Sequence, residues 1–114
     1  MKMTEIECVL RPNAILELKN ALGKLGIKRM TVTEAIGFGL QKGHKGENWN
    51  MEFNINLLPK TKIELVVSDN RVDQVTKVII KTARAGEIGD RKIFTYPIGT
   101  TIRIRTGETG ESAI

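Results

Sequence analysis

Polar and apolar residues alternate over residues 4–10, a pattern typical of a half-buried strand with Ile6, Cys8 and Leu10 facing inward. The apolar residues that follow recur every three to four positions, which predicts one buried face of a helix ending at Gly26. These residues are Ala14, Ile15, Leu18, Ala21, Leu22 and Leu25. The chain therefore opens with a strand followed by a helix.

A second strand is predicted over residues 30–36, and a long glycine-containing loop follows over residues 37–57. The order of strand and helix then recurs in the second half of the chain, beginning with a buried third strand over residues 62–67. A second helix follows, with apolar residues on one face. They are Val72, Val75, Val78, Ile79 and Ala83. Short strands are then predicted over residues 93–96, ending in a turn at Pro97, and over residues 101–105.

This order predicts a single α+β domain over residues 1–114, a ferredoxin-like double βαβ (βαββαβ) sandwich with both helices on one face of the sheet. A polar C-terminal tail occupies residues 106–114. The second sheet face has no predicted cover, so association of two or three copies is the simplest way to bury it.

Charge narrows the class of ligand. The net charge of +5 favours an anion, and because aromatic residues make up only 4% of the chain, a nucleotide fits better than RNA, whose binders use aromatic stacking platforms. No apolar run is long enough to span a bilayer, so we expect a cytoplasmic protein. Cys8 is the only cysteine and is interpreted as a small buried hydrophobe.

Two segments suit phosphate chemistry. Arg103 and Arg105, alternating on a predicted strand with Lys92 nearby, form either a polyphosphate clamp or a solvated strand face. Residues 86–92 contain two glycines and form either a phosphate-binding turn or a helix cap followed by a turn. Because the single histidine, His44, has no partner in a catalytic motif, we expect a binding module and not an enzyme.

Four groups of segments resemble the PII nitrogen regulatory signal proteins: residues 31–34, 37–44, 58–64, and 92–94 with 102–108. The resemblance covers nearly the whole chain and implies a homotrimer that binds ATP or ADP in the clefts between subunits. The positions that match nucleotide-contacting residues are Thr31, Gly39, Glu64, Gly89, Lys92, Arg103 and Arg105. Asp90 and Arg91 lie in the same phosphate-binding turn and are expected to contact the nucleotide, although Arg91 replaces a frequent glycine of the family.

The resemblance also implies an effector site at the base of the long loop. There 2-oxoglutarate would bind beside Mg²⁺ and ATP, with Gln41 orienting the metal and the effector, Lys60 pairing with an effector carboxylate, and Arg11 assisting. Residues 37–57 correspond to the mobile T-loop of the family. Its shape would regulate a nitrogen-metabolism enzyme, a regulator or an ammonium transporter, the last being the only link to a membrane.

Some positions depart from the family pattern. Phe53 stands where the family carries a modifiable tyrosine, and because it lacks a hydroxyl, uridylylation or adenylylation is excluded there. Trp49 replaces a pore-plugging arginine and Met51 a phosphorylatable serine. Together these three residues form either an apolar partner-binding surface or a loop that folds back on itself.

Two further readings stay open. One is a PII-like trimer that senses another small anion or an adenine nucleotide messenger. The other is a basic ferredoxin-like RNA binder, whose affinity would fall steeply with salt and would not depend on ATP.

Overall fold

The computed structural model describes residues 2–40, 55–83 and 92–114. Four strands and two helices follow one another as β1 (Met3–Leu10), α1 (Ile15–Lys24), β2 (Thr31–Leu40), β3 (Ile55–Ser68), α2 (Val72–Ala83) and β4 (Ile93–Ile98). The predicted βαββαβ order is confirmed.

The four strands form one antiparallel sheet in the order β2-β3-β1-β4. Register places Cys8 opposite Ile63 on β3 and Ile93 on β4, so alternate residues of these strands lie on the same face. Both helices pack on that face, which we call the covered face.

The core lies between the covered face and the helices. Its buried side chains come from β1, β3, α1 and α2, as the periodicity predicted. They are Ile6, Cys8, Leu10, Leu18, Leu22, Ile63, Leu65, Val67, Val75, Ile79 and Ala83. Burial raises the pKa of the Cys8 thiol to about 11, which leaves it largely un-ionised and agrees with its interpretation as an inert hydrophobe.

Helix α1 ends where the sequence predicted. Gly26 has a φ of 86°, and the N–H groups of Gly26 and Ile27 donate to the carbonyls of Gly23 and Leu22 at 2.9 and 3.1 Å. This is a Schellman arrangement, in which a residue without a side chain relieves the steric cost of positive φ. It turns the chain towards β2, which begins at Thr31.

Residues 37–40 and 55–57, predicted to belong to the loop, are strand residues in the structure. Strands β2 and β3 stay paired as far as Leu40 opposite Ile55. Pro59, predicted to close the loop, lies inside β3 opposite Ile36, beyond the end of β1, where β3 has a neighbour on one side only. A strand tolerates proline at such an edge because no second ladder needs its missing N–H.

Two predictions for the C-terminal part were wrong. Pro97 does not end the strand predicted over residues 93–96. It pairs with Thr4 within β4, which is an edge strand. Residues 101–105 do not form a strand; Ile102 makes an isolated bridge to Thr109, and a turn follows directly. Its glycines, Gly107 and Gly110, take φ values of 76° and 75°, conformations that reverse the chain.

Candidate functional site

The sheet face away from the helices, which we call the open face, carries charged side chains across the middle of the sheet. Lys62 donates to the Glu7 carboxylate at 2.8 Å and lies 4.0 Å from that of Glu64, while the Tyr96 hydroxyl donates to Glu7 at 2.8 Å. These hydrogen bonds, with Lys62 the stronger contributor, lower the pKa of Glu7. The centre of the open face is therefore polar, and its charged side chains are already paired with one another.

A cavity of about 340 Å³ opens at one edge of the open face, between β2, β3 and the C-terminal segment. Its walls mix apolar side chains with carboxylates and one guanidinium, a combination suited to a flat ligand with polar edges. The lining residues are Glu5, Arg29, Met30, Thr31, Glu64, Leu65, Val66, Ala113 and Ile114.

Strand register explains how the polar residues reach this cavity. Thr31, the first residue of β2, lies directly opposite Glu64 on β3, and Glu5 on β1 lies opposite Val66. Burial raises the pKa of Glu5, and a hydrogen bond and charge repulsion from Glu64 raise it further. The cavity thus holds two interacting carboxyl groups, one of which binds a proton more readily than usual.

The C-terminal segment forms the outer wall of the cavity. Its turn is closed by the Gly107 N–H donating to the Arg103 carbonyl at 2.7 Å and the Arg103 N–H donating to the Glu108 carbonyl at 2.8 Å. The Ser68 hydroxyl then ties the segment to the end of β3 by donating to Glu111 at 2.9 Å. The predicted polar tail is therefore anchored to the sheet.

Arg103 is held in place by this segment. One guanidinium nitrogen donates to the Ser112 carbonyl at 3.3 Å, and Nε lies 3.9 Å from the Glu108 carboxylate. That distance is too long for a hydrogen bond, so Nε is buried without a hydrogen-bond partner among the described residues. Such an atom is costly to leave unsatisfied, which marks the position as one where an acceptor is missing.

The structure brings only some of the predicted nucleotide residues together. Thr31 and Glu64 line one cavity, and Arg103 lies on the segment that forms its wall. Lys92 and Arg105 are exposed and do not line this cavity within one protomer, and Gly39 lies in β2 opposite Asn56. Because residues 101–105 are not a strand, the expectation that strand alternation aligns the two arginines was wrong.

Other predicted positions lie outside the described residues. They are Gln41, Gly89, Asp90 and Arg91 of the proposed ligand sites and Trp49, Met51 and Phe53 of the partner-binding loop.

A second cavity of about 400 Å³ lies where β2 and β3 leave the body of the sheet. Lys60 lines it, and so do Pro12, Glu34, Ala35, Ile36, Pro59 and Thr61. Arg11 directly precedes the short 3-10 turn Pro12–Ala14, which places two predicted effector-binding residues at the same end of the molecule.

Sequence reasoning missed several residues of the first cavity. Arg29 and Met30 precede β2, and Val66 follows Glu64 at the next open-face position of β3. Val66 could have been found, because strand alternation puts it on the face of Glu64. Ile114 could not, since its position depends on the turn at Gly107 and Gly110.

Metal and membrane signals are absent from the described residues. Within that part of the chain, no group of three or more histidine, cysteine, aspartate or glutamate residues could hold a metal ion. No helix there is both long and apolar enough to cross a membrane.

Comparison with known proteins supplies the family. The family model "Nitrogen regulatory protein P-II" matches residues 3–108. Nitrogen regulatory protein P-II of Pasteurella multocida and P-II 1 of Escherichia coli K12 are each 46% identical over 112 residues, covering 98% of this chain and all of theirs.

Solved structures agree with this assignment. The B. subtilis GlnK-ATP complex superposes with a TM-score of 0.82 at 41% identity, covering 99% of this chain and 96% of that one. Arabidopsis thaliana PII bound to citrate gives 0.81 at 39% identity, covering 99% and 92%. The chain belongs to the nitrogen regulatory protein P-II family.

Proposed function

We propose that this protein is a PII-type regulator that binds ATP or ADP in clefts between protomers, senses 2-oxoglutarate, and controls a target protein through the shape of the loop between β2 and β3. The observation that carries the proposal is the cavity in which Thr31 and Glu64 lie under the segment that holds Arg103. A related GlnK has been solved with ATP, which supports a nucleotide as the ligand.

The cavity supplies one side of a nucleotide site. Its apolar residues, such as Val66 and Ile114, suit the faces of a purine ring, and Thr31 and Glu64 offer polar atoms at its edge. Nε of the Arg103 guanidinium has no acceptor among the described residues, and a phosphate oxygen is an acceptor that suits a guanidinium well. Residues 89–92 and Arg105 would complete the phosphate contacts.

A homotrimer gives these residues a common site. Val9, Phe94 and Tyr96 on the open face are 40%, 50% and 44% exposed in one protomer, an apolar rim that a second copy would cover. Since Lys92 and Arg105 do not reach the cavity within one protomer, a neighbouring copy is the source that would bring them to it.

The effector would bind on the open face, at the end of the sheet where the Lys60 side chain lies beside Gly37. Lys60 would pair with a carboxylate of 2-oxoglutarate, Arg11 would assist, and Gln41 would orient the effector and a Mg²⁺ ion held mainly by the ATP phosphates. Citrate, a polycarboxylate, is the ligand in the related Arabidopsis structure, which supports a small carboxylate as a ligand class for the fold.

Regulation then follows from linkage. A ligand shifts the loop between conformations only by the difference in its affinity for them. ATP with 2-oxoglutarate would select one loop shape and ADP another, and a nitrogen-metabolism enzyme, a regulator or an ammonium transporter that binds one shape would be captured or released. Trp49, Met51 and Phe53 are the proposed contacts to that partner. The protein acts as a regulator and not as an enzyme.

Calorimetric titration with ATP tests the nucleotide site. Arg103→Ala should weaken ATP binding by about tenfold or more, because a charge-assisted hydrogen bond is lost. Glu64→Ala should weaken it less. Leu16→Ala, at an exposed position on α1, is the control and should bind as wild type does.

Two results would contradict the nucleotide assignment. One is wild-type protein that binds no adenine nucleotide; the other is Arg103→Ala protein that binds ATP as tightly as the Leu16→Ala control. In either case a thermal-shift screen of small anions, bicarbonate and citrate included, would test the alternative of a related sensor for another ligand.

A further inference from the structure

Gly37 lies in β2 at the point where the strand leaves the body of the sheet. Its backbone does not explain why it is glycine: among the described residues the glycines with positive φ are Gly26, Gly107 and Gly110, and Gly37 is not one of them. Any residue could adopt its extended conformation. Since glycine in a strand loses packing and costs conformational entropy, some other requirement must act at this position.

The space above Gly37 supplies that requirement. A Cβ atom built on Gly37 would lie 3.2 Å from Cγ of Lys60, 3.4 Å from Cε and 3.9 Å from Cδ. The first of these contacts is shorter than ordinary van der Waals distance. The aliphatic stem of Lys60 therefore lies against the space that a side chain at position 37 would take, and would have to move by a few tenths of an ångström to admit one.

Strand register shows how this contact arises. Lys60 pairs with Ala35 across the β2–β3 ladder, and Gly37 pairs with Leu58, so Gly37 and Lys60 are diagonal neighbours on the same face. The stem lies along the direction of β2 towards Leu40 instead of standing up from the sheet. Because Nζ is one bond beyond Cε, the ammonium lies beside Gly37, on the part of the β2–β3 ladder that leads towards Leu40.

We propose that Gly37 is a positioning residue for the Lys60 ammonium: the absent side chain lets the stem of Lys60 lie flat on β2 and aims its charge at the base of the loop. The proposal rests on the proposed function, in which Lys60 pairs with a carboxylate of the effector. A methyl group at position 37 would lift the stem by a few tenths of an ångström and turn the ammonium away from that carboxylate.

The chain provides matched controls. Gly23 on α1 and Gly99 after β4 have no heavy atom within 4 Å of a built Cβ, and neither has positive φ. Gly23→Ala and Gly99→Ala therefore change glycine to alanine without a steric consequence. Any effect specific to Gly37→Ala can then be assigned to its surroundings.

The test is calorimetric titration of 2-oxoglutarate into protein saturated with Mg²⁺ and ATP. Gly37→Ala should weaken effector binding by about tenfold, the scale of one charge-assisted hydrogen bond, while ATP binding measured without effector stays unchanged. Lys60→Ala should weaken effector binding at least as much. The double variant Gly37→Ala/Lys60→Ala should match Lys60→Ala alone, because a residue that acts through Lys60 has no effect once Lys60 is gone.

Two results would overturn the proposal: Gly37→Ala binds the effector as tightly as the glycine controls, or the two substitutions weaken binding additively. Wild-type protein that binds no 2-oxoglutarate would instead overturn the proposed function. The placement of Lys60 is then tested separately by nuclear Overhauser contacts between its methylenes and the Gly37 α-protons. Their presence in wild type supports the flat stem, and their absence contradicts it.

Discussion

The two faces of the sheet are built from the same strands but do different work. On the covered face, Ile6, Cys8 and Ile63 are almost fully buried against both helices. Between Ile6 and Cys8 on β1, Glu7 lies on the open face and accepts hydrogen bonds from Lys62 and Tyr96. Because side chains alternate along a strand, the buried side chains that stabilise the fold lie on one face, and polar, partly exposed groups lie on the other.

This difference shows where function can be placed in so small a domain. The core between the covered face and the helices has no room for a ligand, since its side chains fill that space. The cavity that contains Thr31 and Glu64 opens on the other face. A sheet with helices on one side can therefore fold as one protomer and keep its second side for partners and ligands.

The largest effect is expected on the covered face. Ile6→Ala removes a side chain that is 0% exposed and should lower the free energy of unfolding by about 2–5 kcal/mol, as the lost burial and the cavity add together. Chemical denaturation measures the change. Leu16→Ala, which removes a similar side chain that is 67% exposed, is the control and should change stability by less than about 0.5 kcal/mol. Equal losses in the two variants would contradict the assignment of the core.

A smaller effect is expected at the centre of the open face. Because hydrogen bonds lower the pKa of Glu7 from 4.5, its contribution is present above that value and is lost as pH falls through the lowered pKa. Glu7→Gln should therefore lower the midpoint of thermal unfolding at neutral pH, and the difference from wild type should disappear in acid. Tyr96, whose pKa is raised from 10.0 chiefly by its hydrogen bond to Glu7, adds a second loss in strong base.

Thermal unfolding followed by circular dichroism across pH makes this measurement, with Glu17→Gln on the exposed surface of α1 as the control. A Glu7→Gln difference that persists unchanged in acid would show that the Glu7 ion pair is not its source.

The smallest effect is expected at the edge of the cavity, and it has the opposite sign. Burial raises the pKa of Glu5 from 4.5, and the hydrogen bond and charge of Glu64 raise it further. The stability linked to the protonated form of Glu5 is therefore present below 4.5 and is lost as pH rises through the raised pKa. Glu5→Gln should slightly raise the unfolding midpoint at neutral pH and give no gain in acid. A lower midpoint at neutral pH would mean that the ionised carboxylate is favourable there.

Sequence patterns predicted the element order and the core because both depend on local periodicity. The alternation through Ile6 and Cys8 and the helical spacing of Leu18 and Leu22 each identified a buried face that the structure confirms. The ends of elements were harder. An equally regular alternation around Arg103 predicted a strand, but Gly107 and its turn reverse the chain before a ladder can form.

The candidate site was predictable only in part, for a related reason. Thr31 and Glu64 came from the family resemblance, and strand pairing explains why they meet. Arg29 and Ile114 reach the same cavity through a turn and through the anchored C-terminus, which no periodic pattern encodes. The role of Gly37 is visible only once the path of the Lys60 side chain is known.

Coupling between nucleotide and effector is the property that most defines a sensor of the proposed kind, and a reciprocal calorimetric titration measures it directly. With Mg²⁺ present, ATP affinity is measured without and with saturating 2-oxoglutarate, and 2-oxoglutarate affinity without and with saturating ATP. A sensor requires that each ligand strengthen the other by the same factor, on the order of 5–150-fold. Affinities that do not change when the second ligand is present would contradict it.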